Sequence, residues 1–250
     1  MVFSLSALLP YLGASIVGIS NMILWGLYGD LLVEKFELKK VFRSVVFALV
    51  ASVFLYVLDP NLPLFLVALS SIALERLLTE LYKALWRNES QEKYAIPSDL
   101  NLTLTLPFRR LLFVVLVVLV AFLILNVSVP ASGLLLGIIA GCITAVGGDL
   151  KDAPYEGFQL AKFFRSPIIA TAIGLLLTSF FPLSAGMIVL LAIFGGERIV
   201  SEFYKKILMG RVPGKFKETL PESKRWKQSR RWLLLLYLAN ITLLVMLVFA

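Results

Sequence analysis

The chain contains one long stretch twice. Residues 36–83 align without a gap onto residues 158–205, at a constant offset of 122 residues, and 16 of the 48 aligned positions are identical. The identities include two polar motifs, Phe-Arg-Ser and Glu-Arg-x-x-x-Glu-x-Tyr-Lys, whereas chance matches between apolar segments would be mostly Leu, Val and Ala. Shared polar residues therefore indicate a duplicated unit. Because the offset is close to half of the chain, we predict two copies, residues 1–128 and 129–250, within one membrane domain.

The composition is that of a membrane protein. Hydrophobic residues make up 59% of the chain, and the mean hydropathy is +0.89. Apolar runs of about 18 to 25 residues are long enough to cross a hydrocarbon core as helices. We predict an all-α polytopic membrane protein with eight transmembrane helices, arranged as two parallel four-helix repeats. The predicted spans are 7–29, 43–58, 62–82, 109–127, 131–148, 166–181, 186–204 and 231–249.

The positive charges predict the orientation of these spans. All 24 Lys and Arg residues fall within four stretches, 30–43, 76–110, 149–165 and 198–231. Lys and Arg accumulate on the cytoplasmic side of a membrane protein. We therefore expect a multi-pass protein of the cell membrane with both termini outside. Four spans per copy make the copies parallel, related by a pseudo-twofold axis along the membrane normal.

Several functional classes are excluded by the residues that the chain lacks. It has no His, its single Cys142 lies in an apolar run, and it contains no P-loop, dinucleotide fingerprint, HExxH or nucleophile elbow. We predict no cofactor, and the sequence leaves a metal undetermined. The net charge of +8 follows from the membrane orientation, so we expect no nucleic-acid partner. The expected partners are the lipid bilayer and, for the basic segment 205–231, anionic lipid headgroups.

Small residues recur every four positions in the opening span of the second copy. They are Gly133, Gly137, Gly141 and Ala145. Such a stripe lets helix backbones approach closely in lipid, so we interpret it as a helix-packing surface rather than a ligand path.

The third predicted span of each copy carries charged residues at membrane depth. Glu75 lies about 20 Å along a helix from the outer turn, still within a hydrocarbon core of about 30 Å. Arg76 and Glu80 are four residues apart and share one helix face. Ionisable groups inside a membrane usually face a protein interior or a cavity and pair with one another. We interpret Glu75, Arg76 and Glu80 as a structural charge pair in the first copy.

The second copy is the better candidate for function. The glycine pairs at 147–148 and 195–196 precede Asp149 and Glu197, and a three-residue insertion with Pro154 follows the first of them. Glycine interruptions in membrane helices are useful where the backbone lines a cavity. The predicted site near the inner face consists of Asp149, Asp152, Arg165, Glu197, Arg198, Glu202 and Lys205.

Three functions fit this set of residues. In a transporter or channel-like protein, Arg165, Arg198 and Lys205 would meet a small anionic solute, while Asp149 and Glu197 would handle a cation or proton. The charged cavity would open to the cytoplasmic side.

The first alternative is a membrane enzyme acting on a lipid-linked phosphate at the inner leaflet. Asp149 and Asp152 would then hold Mg²⁺, which favours oxygen ligands and bridges substrate phosphates. The second alternative is a membrane scaffold or assembly subunit whose charges are structural. Transport is the preferred interpretation because the chain has two parallel repeats and no complete catalytic motif.

Overall fold

A computed structural model gives the fold as a bundle of helices. It describes residues 5–33, 38–88, 105–127, 129, 132–150, 153–154, 157–181, 186–210 and 220–250, without the side chains of 25–33, 40, 149–150 and 220–225. The described residues form eight long α-helices and no strand. The helices are α1 (Leu5–Val33), α2 (Leu38–Leu58), α3 (Leu64–Leu81), α4 (Leu106–Asn126), α5 (Gly133–Ala145), α6 (Leu160–Phe180), α7 (Gly186–Phe203) and α8 (Leu220–Met246). Single π-helical turns continue three of them: π1 (Tyr82–Trp86) follows α3, π2 (Val146–Leu150) follows α5, and π3 (Tyr204–Leu208) follows α7.

The predicted all-helical class is confirmed. Five helices, α1, α2, α4, α6 and α8, contain segments long and apolar enough to cross a membrane. The helices α3 and α7 are set apart from these five by charge, because each carries two Glu and one Arg within 18 residues. The remaining helix, α5, is apolar but has only 13 residues before its π-helical turn.

Three helices begin five or more residues before the predicted spans. The helix α2 begins at Leu38 instead of 43, α6 at Leu160 instead of 166, and α8 at Leu220 instead of 231. Each added segment is rich in Lys and Arg. Polarity marks the edge of a hydrocarbon layer, but the backbone can remain helical beyond that edge, because Lys and Arg are good helix formers. The apolar runs therefore located the apolar part of each helix, and the predicted spans were shorter than the helices.

The two charged helices lie at the centre of the bundle. The helix α3 packs along α7, α1 and α2 pack against α3, and α5 and α6 pack against α7. The helix α8 packs on α1, and α4 packs mainly on π1. Most of the fully buried large side chains of the two central helices are aliphatic: Leu66, Val67, Ile72, Ile188, Val189 and Ile193. The central pair is therefore apolar through most of its length, and its charged residues lie near its C-terminal ends.

The small-residue stripe of α5 is a helix-packing surface, as interpreted from the sequence. A Cβ atom on Gly133 would overlap the backbone of Gly174 on α6, and one on Gly141 would overlap the backbone of Pro167. In α1, Gly18 lies equally close to the backbone of Ala68 on α3. These contacts need glycine because any larger side chain would push the two helices apart.

The glycine pair of α7 does not interrupt its helix. The helix runs from Gly186 to Phe203 without a break, and Gly195 lies against the backbone of Leu69 on α3. The expectation that this pair loosens the helix next to a cavity is wrong. The missing side chain instead allows the central helices to approach each other.

Polar side chains connect α1 to its neighbours inside the apolar bundle. Asn21 donates to Asn240 on α8 at 2.9 Å, and Asn240 donates to the carbonyl of Val17 at 3.0 Å. The hydroxyls of Ser15 and Ser71 form a buried hydrogen bond of 2.6 Å between α1 and α3. Such bonds fix the axial register of helices that apolar packing alone would leave free to slide.

Candidate functional site

Two buried carboxylates lie near the C-terminal ends of the central helices. Glu75 on α3 and Glu197 on α7 are each 3% exposed. Glu75 accepts a hydrogen bond from Thr79 at 2.8 Å, and Glu197 accepts one from Ser201 at 2.5 Å. Ser166 on α6 donates to the same oxygen of Glu197, Oε1, at 2.8 Å. Within the described part of the chain, neither carboxylate forms an ion pair within 4.0 Å.

Arg76, which follows Glu75 on α3, begins a chain of ion pairs. Arg76 contacts Glu80 at 2.8 Å, and Lys83 contacts the same carboxylate oxygen at 3.4 Å. Both side chains of the Arg76–Glu80 pair are 36% exposed. Their spacing of four residues places them on one helix face, as expected from the sequence.

The corresponding charges on α7 and π3 are more buried. The Glu202 side chain is only 4% exposed and contacts three bases: Arg198 at 2.6 Å, Lys205 at 2.6 Å and Lys206 at 2.8 Å. Three bases around one buried carboxylate keep it ionised and satisfy its lone pairs. This carboxylate is therefore held by charge, whereas Glu197, on the same helix, is held by hydroxyl groups.

The two charge sets meet where α3 packs on α7. Arg76 interacts electrostatically with Glu202, and Arg198 interacts with Glu80 and with Arg76. We call this group the axial cluster. Its members are Arg76, Glu80, Lys83, Arg198, Glu202, Lys205 and Lys206. The cluster joins residues of both predicted copies in one electrostatic unit.

Two further guanidinium groups flank the axial cluster. Arg165 on α6 lies over the ring of Tyr204, with 5.9 Å between its Cζ and the ring centroid. Arg43 on α2 lies over Tyr82 in the same way, at 5.3 Å. Neither arginine forms an ion pair within 4.0 Å among the residues that the structure describes. Stacking on an aromatic face supports the cation without neutralising it.

The structure brings together most of the site expected from the sequence. Arg198, Glu202 and Lys205 form one connected group, and Glu197 and Arg165 lie beside it. The residues interpreted as a structural pair, Glu75, Arg76 and Glu80, belong to the same region.

The side chains of the two predicted magnesium ligands lie outside the described part of the structure. Asp149 falls in π2 with its side chain not described, and Asp152 is outside the described residues. Among the described residues, no group of three or more Cys, Asp or Glu side chains could hold a metal ion.

The hydroxyl groups of the site were not predicted from the sequence. Thr79 and Ser201 each follow a glutamate by four residues, at aligned positions of the two copies. That spacing puts the hydroxyl beside the carboxylate on one helix face, so the pattern could have been found from the repeat alignment. The contact of Ser166 with Glu197 joins two helices and has no comparable local signal.

Two surface grooves of the described region lie away from this site. Two shallow apolar grooves run along α2, one lined by residues 38–45 and the other by residues 49–57. Neither groove includes a residue of α3 or α7. The expected charged cavity is not one of these two grooves.

Comparisons of the chain with protein-family models, with curated proteins and with solved structures found no match. The fold and the charges place the chain in a general class, all-helical proteins with several helices able to cross a membrane.

Proposed function

We propose that the chain is an integral membrane transporter or channel-like protein for a small ion or anionic solute. The observation that carries the proposal is the environment of Glu197. Its carboxylate is buried and bonded only to hydroxyl groups among the described residues. Arg198 interacts electrostatically with Glu197 but forms its ion pair with Glu202. Buried ionisable groups without a close ion pair are rare in membranes and are retained chiefly along ion, proton or substrate pathways.

A purely structural role accounts for the ion pairs but not for this carboxylate. The Arg76–Glu80 and Arg198–Glu202 pairs could lock helix ends by themselves. Glu197 adds a desolvated acid to the central helix pair and contributes no ion pair to that lock. An amide or an apolar residue of similar size would pack there at lower cost. The transport proposal explains why an acid is present.

The architecture we propose for this transporter has eight spans in two parallel four-helix repeats, residues 1–128 and 129–250, with pseudo-twofold symmetry and both termini outside the cell membrane. Four local features support it by recurring 122 residues apart. These are the Arg–Glu ion pair, the Glu–hydroxyl bond, the Arg–Tyr stacking contact and the π-helical turn. Parallel repeats would place both members of each feature at the cytoplasmic side, where the positive charges are expected.

The transport activity is tested with purified protein in liposomes. Vesicles are given gradients of Na⁺, K⁺, chloride or phosphate in turn, and uptake of a radioactive isotope of each ion is compared with that of protein-free vesicles. We expect flux of at least one of these ions. We expect Glu197→Gln, which keeps the shape and removes the charge, to reduce this flux at least tenfold. Glu75→Gln is the matched variant in the other central helix.

Two results would contradict this function. Absence of flux for every ion, with correctly folded protein, would remove the proposal. Mg²⁺-dependent turnover of a lipid phosphate, abolished by Asp149→Asn and Asp152→Asn, would favour the enzyme instead.

The orientation is tested by labelling single cysteines in intact cells. The native Cys142 is exposed on α5 and is first replaced by Ser. Ser90→Cys and Ser223→Cys each add one thiol in a segment expected inside. An impermeant maleimide should label neither until the cells are opened. Labelling of either thiol from outside would contradict the topology.

A further inference from the structure

The axial cluster carries more positive charge than its carboxylates neutralise. Two bases contact Glu80, and Arg198 and Lys205 contact Glu202. With Arg43 and Arg165 beside the cluster, six bases accompany the four carboxylates Glu75, Glu80, Glu197 and Glu202, which leaves a surplus of two positive charges even when Lys206 is left aside. Like charges at short range in a poorly hydrated site repel one another, so the surplus has a cost. An anion bound at the cluster would remove that cost.

The same region holds guanidinium donors without acceptors. The Nε atoms of Arg43, Arg165 and Arg198 are buried and have no hydrogen-bond partner among the described residues. Arg198 uses Nη1 for its contact with Glu202, and so its Nε is available for another acceptor. Buried N–H groups are nearly always paired in folded proteins. These N–H donors on α2, α6 and α7 therefore lack hydrogen-bond acceptors among the described side chains.

We propose that the axial cluster, with Arg43 and Arg165 beside it, binds a phosphate-type oxyanion. The anion is either soluble phosphate or the phosphate of an anionic lipid headgroup. The proposal names the substrate class of the same site and so rests on the proposed function. Binding itself can nevertheless be measured without transport.

The chemistry of the donors selects an oxyanion over a halide. A guanidinium presents several N–H groups in a planar fork that matches two oxygens of a phosphate. Ammonium groups such as Lys83 and Lys205 add charge without a fixed direction. A spherical chloride ion gains the charge attraction but cannot use the fork. Phosphate should therefore displace chloride from the site.

The experiment measures binding to the intact protein in nanodiscs of the neutral lipid phosphatidylcholine. One arm measures equilibrium binding of radiolabelled inorganic phosphate in the presence of chloride. The other arm adds phosphatidylglycerol and counts the lipids retained by the protein in native mass spectrometry. The test variants are Arg198→Gln and Lys205→Gln, and two are used so that one folding failure does not end the experiment. The matched control is Lys39→Gln, which removes an exposed positive charge on α2, outside the basic segment 205–231.

We expect binding in one arm, weakened roughly tenfold or more by each test variant, because a hydrogen bond to a charged group contributes about 1.5–3 kcal/mol. Lys39→Gln should bind like the unmodified protein. Saturable phosphate binding in neutral nanodiscs identifies a soluble anion, and retention of phosphatidylglycerol alone identifies a headgroup site. The proposal is overturned if neither ligand binds, or if both test variants bind as tightly as the unmodified protein and the control variant. Intact binding without ion flux would remove the transport function and leave the anion site in place.

Discussion

Gly195 sets how closely the two central helices approach. A Cβ atom at this position would overlap the carbonyl group of Leu69 on α3. A backbone carbonyl inside a helix cannot rotate away, so Gly195→Ala must push α3 and α7 apart. Overpacking of this kind costs about 1–3 kcal/mol, and a rigid backbone neighbour puts the cost at the upper end. Alanine recovers about 1 kcal/mol of helix propensity, which leaves an expected loss of about 2 kcal/mol in the free energy of unfolding.

Two other glycines in α-helices serve as controls for this prediction. A Cβ atom on Gly13, in α1, meets nothing within 4 Å, so Gly13→Ala should be neutral or stabilising by up to about 1 kcal/mol. A Cβ atom on Gly196 meets only the side chain of Ile173, at 3.1 Å. That side chain can shift, so Gly196→Ala should cost less than Gly195→Ala.

The assay is unfolding of purified protein in mixed micelles with increasing SDS, followed by tryptophan fluorescence. The order of stability should be Gly13→Ala, then Gly196→Ala, then Gly195→Ala as the least stable variant. A Gly195→Ala protein as stable as the unmodified chain would refute the close crossing of α3 and α7. The axial cluster would then lose its structural basis, because its two halves meet across that crossing.

Three further predictions concern the polar groups. Glu197→Gln keeps its hydroxyl partners and removes a buried charge, so it should leave the free energy of unfolding unchanged or raise it while reducing flux, as measured by melting curves beside liposome assays. Arg198→Ala should destabilise by about 1–3 kcal/mol and Arg76→Ala by less than about 1 kcal/mol, since only Arg198 forms an ion pair with a buried carboxylate; equal losses in SDS unfolding would contradict this. Asn240→Leu should cost about 1–2 kcal/mol because it removes the hydrogen bonds to Asn21 and to the carbonyl of Val17; an unchanged SDS unfolding midpoint would contradict this.

Much of the fold follows from local sequence patterns. Apolar runs located all eight helices, and they placed α3 to within two residues at its start and one at its end. The small-residue stripe of α5 predicted a packing face, and the spacing of Arg76 and Glu80 predicted their ion pair. These features depend on the 3.6-residue period of one helix or on the hydrophobicity of one segment. A sequence displays both directly.

The candidate site depends on contacts between segments far apart in the chain. Only the packing of α3 on α7 brings Arg76 near Glu202, and only the approach of α6 to α7 gives Glu197 its second hydroxyl donor, Ser166. The sequence by itself determined the helices, their polarity and the residues that could carry charge into the bundle. The tertiary structure decided which charges are neutralised and which are not, because that depends on the side chains that other helices place within a few ångströms.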